Sequence, residues 1–238
     1  MPARIERERY FTELDYLELS ALFAGPQKPS SLAKWKDVAP AGTLGLVAPF
    51  VVTHRRAPDH PKPWPHDATT GDFRDSPLAR SALDALVASV KDLAAGCVVF
   101  RSPDDLSPSA ANREQLTRFF TEIASEAQLG VPRVWIPGGL WGVRTAAKLA
   151  LELGVTLAID PLVIDPAVPE ERYEDLEVPG LYLRLENAGR TGLIRNEKLE
   201  DLAALVEAYS AASMRLTVVF ASPERWQDAR NFKKLLET

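Results

Sequence analysis

The amino-acid sequence predicts an α/β fold: a TIM-like (β/α) barrel that is incomplete, with seven recognisable strands. Apolar, strand-like segments alternate with helix-like segments along the chain, which is typical of a parallel sheet. Four of these strands end in charge, at Glu18, Arg101, Asp160 and Arg184, and a barrel keeps its chemistry at the carboxyl ends of its strands. A doubly wound open sheet is the competing architecture, but no glycine-rich phosphate loop follows the first strand. We expect one domain over residues 1–238.

The predicted strands are short apolar runs that stop at turn-forming residues. They are expected at 14–20, 43–48, 97–101, 131–136, 155–160, 181–185 and 215–221. In the first strand Glu18 and Ser20 lie on the face opposite Leu17 and Leu19. Since the apolar outer face of a barrel packs on helices, Glu18 points inward. The same parity directs further charged side chains inward: Arg101, Asp160, Arg184 and Glu186.

The predicted helices are marked mainly by residues that favour a helix start. Ser76 and Pro77 begin a helix that runs to about Ala95. Further helices are expected at 30–38, 109–128, 141–153 and 196–213, and from 222 onward, and a proline-rich connection at 161–179 joins two strands.

A long polar stretch at 51–76 holds all three histidines, His54, His60 and His66. A loop of more than ~12–15 residues in a compact domain is usually functional or disordered. Histidines with nearby carboxylates can bind zinc, but these are six residues apart in a proline-rich segment with no helix to align them. We therefore expect neither a metal site nor a cofactor.

Composition excludes several classes of protein. The formal net charge of −5 argues against attraction to nucleic acid or to an anionic membrane, since both need a basic face. Arg55, Arg56 and Trp64 are too few to indicate nucleic-acid stacking. Cys97 is the single cysteine and lies in an apolar run, so we expect it to be buried and inert. The charged first nine residues do not read as a secretory signal, and no apolar run reaches the ~18 residues of a membrane span, so we expect a cytoplasmic protein.

The order of several short motifs resembles the "domain of unknown function 72" family, also called YecE-like, which is a TIM-barrel family. Residues 17–24 (LELSALFA) resemble V-E-I-N-S-T-F-Y, with a proline and a tryptophan following at the family's spacing. Residues 53–54 resemble T-H, residues 100–103 resemble F-Q-L-P and residues 182–187 resemble Y-V-R-L-H-G. The resemblance extends over roughly residues 7 to 236. It implies a barrel with a cleft, and because the family's activity is unassigned it implies no reaction.

The chain departs from the family pattern at polar positions. Where the family has a lysine this chain has Val47, the E-F-R-H stretch becomes residues 135–138 (WIPG), and the histidine of the arginine motif becomes Glu186. Family members also carry a G-x-S-G-W strand before the region matched here, and these 238 residues lack it. We interpret the family site as degenerate.

Two functional hypotheses remain open. Seven strands leave two unpaired edges, on the strands of Glu18 and Val218, and exposed edges invite pairing. The first hypothesis is therefore an interaction or structural protein rather than an enzyme, with the gap covered by N-terminal residues, a second copy or a different protein. In that case Leu22, Val47 and Trp135 should fill the cleft, and its arginines should be paired.

The alternative is an enzyme or binder of a small anionic ligand, such as a carboxylate or phosphate. Glu18 or Asp160 would then act as acid or base. The ligand would be held at Ser20, His54, Arg101, Arg184 and Glu186.

Overall fold

The computed structural model describes residues 7–163, 178, 180–186, 192–211 and 215–237. Over these ranges seven parallel strands form one sheet in sequential order, which curves into a nearly closed barrel. The strands are β1 (Leu17–Leu19), β2 (Leu44–Val47), β3 (Cys97–Arg101), β4 (Arg133–Ile136), β5 (Thr156–Ile159), β6 (Gly180–Leu185) and β7 (Arg215–Phe220). The predicted TIM-like α/β fold with seven strands is confirmed. None of the described helices is long and apolar enough to cross a membrane.

The helices alternate with the strands as the sequence pattern indicates. They are α1 (Arg7–Glu13), α2 (Ala21–Ala24), α3 (Pro29–Lys36), α4 (Phe50–Thr53), α5 (Pro77–Asp92), α6 (Ala110–Arg118), α7 (Glu126–Leu129), α8 (Val143–Leu153), α9 (Asn196–Ala211) and α10 (Arg225–Leu236). Ser76 caps α5 by accepting a hydrogen bond from the Ala79 amide, and Ser109 caps α6 in the same way. Most of the proline-rich connection predicted at 161–179 lies outside the described residues, as does residue 213, the predicted end of α9.

Alternation of side chains along each strand separates two apolar groups. The outer faces of the strands pack on the helices in one large core, to which Leu46, Phe100 and Leu183 belong. The inner faces form a smaller group, which we call the lumen cluster: Val47, Cys97, Val99, Val134, Ala158 and Tyr182. The ladder pairs Glu18 with Gly45 and Arg184 with Val219, so that paired residues point to the same side.

The helix predicted at 109–128 is interrupted. After α6, residues Phe119–Ile123 form a π-helical turn, and Ser125 begins the short α7 with a capping box. Buried Arg133 at the start of β4 donates to the Phe120 carbonyl at 2.7 Å and to the Gly154 carbonyl at 3.0 Å. A buried guanidinium needs such acceptors, and the interrupted helix supplies one of them.

Residues 51–76 are predicted as a polar loop, but their first residues are helical. Phe50–Thr53 form helix α4, which is fully buried. Its far end returns to this helix, since the amides of Gly71, Asp72 and Phe73 donate to α4 carbonyls at 2.8–3.0 Å. Asp72 and Phe73 have φ values of 54° and 58°, in the left-handed region that costs non-glycine residues energy. The buried Phe73 ring compensates by packing on Phe119, with 5.1 Å between ring centroids.

Candidate functional site

A buried ion pair crosses the lumen near the carboxyl ends of the strands. Arg184 Nε lies 3.0 Å and Nη2 lies 3.0 Å from the two carboxylate oxygens of Glu18. The two side chains are only 10% and 8% exposed. Strand parity brings them together, since Glu18 is the inward residue of β1 and Arg184 is an inward residue of β6. Such a pair is retained when its partners satisfy each other's hydrogen bonds.

Tyrosine side chains extend this pair down into the lumen. Tyr182 donates its hydroxyl to Glu18 at 2.9 Å, the hydroxyls of Tyr16 and Tyr182 lie 3.3 Å apart, and Tyr16 lies 3.1 Å from Cys97 Sγ. Burial raises the pKa of both phenols well above the usual range and raises the pKa of the Cys97 thiol to about 11. All three groups are therefore protonated near neutral pH, and Cys97 is not an activated nucleophile.

Both carboxylate oxygens of Glu18 accept two hydrogen bonds each. One oxygen accepts from Arg184 Nε and Nη2, and the other accepts from Arg184 Nε and from Tyr182. A carboxylate held in this way has its lone pairs occupied, so it is poorly placed to take a proton from a substrate.

Arg101 and Glu186 lie at the rim of the barrel above the buried pair. Arg101 Nη2 is 3.8 Å from Glu186 Oε1, and the two side chains are 37% and 51% exposed. Glu186 also contacts Arg184. Burial, with the neighbouring Arg184 charge, lowers the pKa of Arg101, and its guanidinium lies 6.0 Å from the Phe23 ring centroid. The Arg101 side chain is therefore more accessible to solvent than the Arg184 side chain, which is 10% exposed.

Asp160 joins two strand ends. One carboxylate oxygen accepts the Leu162 amide at 3.0 Å, and the other accepts the Glu186 amide at 2.9 Å. The side chain therefore ties the residue after β5 to the residue after β6, which is a structural use of a carboxylate at a sheet edge.

His54 and Ser20 have different surroundings: Ser20 lines a cavity together with Glu18 and Arg184, whereas His54 contacts Thr53 and Phe23. His54 Nδ1 is 2.7 Å from the Thr53 hydroxyl, and its ring meets the Phe23 ring edge-on with centroids 5.2 Å apart. Burial and then the Arg101 charge lower the pKa of His54, so the neutral form is favoured. Ser20 is exposed and precedes α2 without a side-chain cap bond. Within the described ranges no three histidine, cysteine or acidic side chains are grouped so as to hold a metal ion.

A cavity of about 680 Å³ lies between β7 and β1, and we call it the slot. Its β7 wall is formed by consecutive residues, Leu216 to Ala221, and its β1 wall by Asp15 to Glu18. Because successive side chains of a strand point to opposite faces, a cavity lined by consecutive residues is open to the strand's edge. In the described sheet these two edges have no strand partner. The expectation of open edges on the strands of Glu18 and Val218 is therefore met.

Two terminal helices form the outer wall of the slot. The Tyr10 ring of α1 lies 5.5 Å from the Trp226 ring of α10. Glu13 pairs with Arg230 at 2.7 Å and accepts from Lys233 through its carbonyl at 3.0 Å. The sequence analysis predicts no helix at α1, a mainly charged segment that also contains Tyr10 and Phe11.

Two residues expected to fill the cleft are elsewhere. Trp135 is on the outer face of β4, where its indole N–H donates to the Ser102 hydroxyl at 2.8 Å and its ring meets Trp141 at 5.0 Å. Leu22 is buried in the outer core. Of the three named side chains only Val47 belongs to the lumen cluster. The strand parity of Trp135, one residue beyond inward-facing Val134, was the signal available in the sequence.

Solved structures share this architecture. A DUF72 family protein from Thermotoga maritima superposes with a TM-score of 0.66 at 15% identity, over 100% of this chain and 92% of that one. The fold is that of the DUF72 barrels. A DUF72 family protein from Enterococcus faecalis gives 0.65 at 14% identity, over 99% and 89% of the two chains. No family model and no curated protein matches the sequence. The resemblance drawn from the short motifs is thus confirmed for the DUF72 fold.

Proposed function

We propose that this DUF72-type barrel acts as an interaction or structural protein, through the open edge between β7 and β1. The observation that carries the proposal is the exposure of β7. Its six residues are exposed or half-buried along the whole strand, whereas β2 and β6 are buried throughout. An edge strand presents unpaired N–H and C=O groups, and natural proteins usually cover or disrupt such an edge.

The state of the charged cluster supports a non-catalytic role. Arg184 and Glu18 occupy each other, and Asp160 is engaged by backbone amides. A general acid or base must reach the reacting proton within hydrogen-bond distance, and these carboxylates already have partners at that distance. The cluster works as an internal brace of the barrel.

The test is purification from the native host followed by intact native mass measurement. We expect a second polypeptide in fixed stoichiometry, and we expect Ala229→Trp to release it, because Ala229 lines the slot. Gln227→Trp is the matched control, since it adds the same side chain to the exposed face of α10. A lone chain, or a complex that both variants retain, would contradict a role for the open edge.

Arg101 supports a second function, the binding of a small anionic ligand at the carboxyl ends of the strands. Its guanidinium is 37% exposed and its contact with Glu186, at 3.8 Å, is loose, so it has donors to offer. His54, Ser20, Glu186 and Arg184 would complete the surroundings of the ligand. Calorimetric titration with inorganic phosphate tests this function: binding should be lost in Arg101→Gln and kept in Arg118→Gln, which removes a distant exposed arginine. Failure of the native protein to bind phosphate and acetate would eliminate it.

A further inference from the structure

We propose that the occupant of the slot is one extended peptide segment, which adds as an eighth strand between β7 and β1. Apolar side chains of this segment face α10, and small side chains face the lumen. This inference rests on the function proposed above and specifies the chemistry of the partner.

The backbone of the slot favours a strand over other occupants. Both walls are strand edges, and both expose consecutive residues, Leu216 to Ala221 and Asp15 to Glu18. All six described strand pairs are parallel, so the two edges run in the same direction around the barrel. One extended chain can hydrogen-bond to both edges at once, as in β-strand addition, and a barrel of eight strands is then closed.

The outer wall of the slot is apolar and favours apolar side chains on the bound peptide. Trp226, Ala229 and Phe232 of α10 line it together with Val206 of α9. An added strand would direct every second side chain toward these residues. Valine, isoleucine or leucine at those positions would bury the exposed outer face of β7, and removal of apolar surface from water favours binding.

The inner wall of the slot leaves room only for small side chains on the bound peptide. Glu18, Arg184 and Tyr182 already cross the lumen and hydrogen-bond to one another. A large side chain would collide with this network, and a charged one would meet carboxylate lone pairs that are already taken. Glycine, alanine or serine fits at the inward positions.

Charge further restricts the occupant. Four cationic side chains line the slot, Arg101, Arg184, Arg225 and Lys233, against two anionic ones, Asp15 and Glu18. A segment with acidic residues at its ends is therefore electrostatically favoured over a basic one.

The experiment uses the whole native protein and a capped synthetic peptide in which valine alternates with serine between terminal glutamates. Hydrogen exchange of the protein is followed by mass spectrometry. At a peptide concentration about ten times its dissociation constant, we expect amide exchange in 215–220 and in 17–19 to slow together by about tenfold. Segments on the far side of the barrel, such as 97–101, should not change.

Two control peptides test whether protection requires a hydrogen-bonded strand or only apolar side chains. The first has the same composition with the valines in one block and the serines in another, so that no register slip restores alternation. The second keeps the alternating order but carries N-methyl groups on the valines, which removes the hydrogen-bond donors from one edge. We expect neither to protect β7 or β1.

The outcomes distinguish this inference from the proposed function. Equal protection by the block peptide or the N-methylated peptide would overturn the strand occupant, as would protection of only one edge. Protection by dodecanoate, with none from the alternating peptide, would assign the slot to an amphiphile and also overturn it. A host partner that Ala229→Trp still releases would leave the interaction role standing in either case. These peptide tests use the native chain and do not depend on the folding of a variant.

Discussion

The barrel has a closed side, made of β2 to β5, and an open side, made of β7 and β1, and the two sides use similar residues with different results. Leu46 on β2 is fully buried, whereas Leu216 on β7 is half-buried although it too points to the outer core. Leu17 and Leu19 on β1 are buried even though β1 also lacks a strand partner on one edge in the described sheet, so the exposure is a property of β7. An apolar pattern is therefore enough to predict a strand, whereas the groups packed around the strand determine how much surface it buries.

The largest expected effect lies in the lumen beside the slot. Glu18→Gln leaves the guanidinium of Arg184, a side chain only 10% exposed, with the half-exposed carboxylate of Glu186 as its remaining ionic partner. We expect a loss of about 3–5 kcal/mol in the free energy of unfolding, measured by urea denaturation. If the open side admits water to this pair, the loss will be much smaller, and a value below about 1 kcal/mol would show that the pair behaves as a surface contact.

Two further variants separate charge from packing at this site. Glu186→Gln, at a carboxylate that is 51% exposed, should change stability by no more than about 1 kcal/mol. Replacing both members, Glu18→Met with Arg184→Met, should recover most of the loss, because no charge is then buried alone.

A matched pair of leucines tests the comparison directly. Leu46→Ala on the closed side should cost about 2–5 kcal/mol, since the site is fully enclosed and cannot collapse freely. Leu216→Ala on the open side should cost about 1 kcal/mol, because part of that side chain already faces solvent. Equal losses in urea midpoints would mean that the slot is filled in solution by a segment of the protein itself or by a second copy.

Hydrogen exchange of the isolated protein tests whether the backbone amides at the open edge of β7 are less protected than those of an interior strand. Alternate amides of β7 point to β6 and to the open edge. Those on the open edge should exchange at least about tenfold faster than amides of 98–100, which lie between two paired strands. Residue-resolved exchange by nuclear magnetic resonance provides the measurement. Uniform protection of the seven strands would contradict an open edge.

The smallest expected effect concerns His54, on the closed side of the rim. Burial lowers the pKa of His54 below its usual value, so in the unfolded chain it takes up a proton at a higher pH than in the fold. Its contribution to stability is therefore complete above about pH 6.5 and decreases as the pH falls through that value. Urea midpoints at about pH 7.5 and about pH 5.5 should differ less in His54→Gln than in the native protein.

The control for this pH effect is His66→Gln, which removes an exposed imidazole from the same segment. It should retain the full pH dependence of the native protein. A decrease in pH dependence of equal size in both variants would show that burial of His54 is not its cause.

The strands were predictable because their signals are local. Each of the seven is a short run of apolar residues, and parity within the run was enough to direct Glu18 and Arg184 inward and to place them at the same end of the barrel. The likeness to the DUF72 barrels could also be read from short motifs in order. The helix α1 could not be predicted, because its stability depends on packing Tyr10 against Trp226, more than 200 residues away in the chain.

Side-chain assignments failed where a partner from another element decided the outcome. Asp160 has the inward parity expected of a catalytic carboxylate, but amides after β5 and β6 engage both of its oxygens. Trp135 was expected in the cleft although its strand parity indicates the outer face, and there it contacts Ser102 and Trp141. No spacing in the sequence records these contacts, since they form only when separate strands and helices meet.

Local sequence signals were sufficient to predict the alternating α/β pattern, the seven strands, and the charge and parity of the residues near the strand ends. Those properties follow from side-chain polarity and backbone periodicity over a few residues. The tertiary structure alone decided that Glu18 and Arg184 neutralise each other and that α1 and α10 flank the slot. It also shows that the β7 edge, which the strand count predicts to be unpaired, is exposed along the whole strand. Each of these features depends on distances between groups that the chain separates by 160 residues or more.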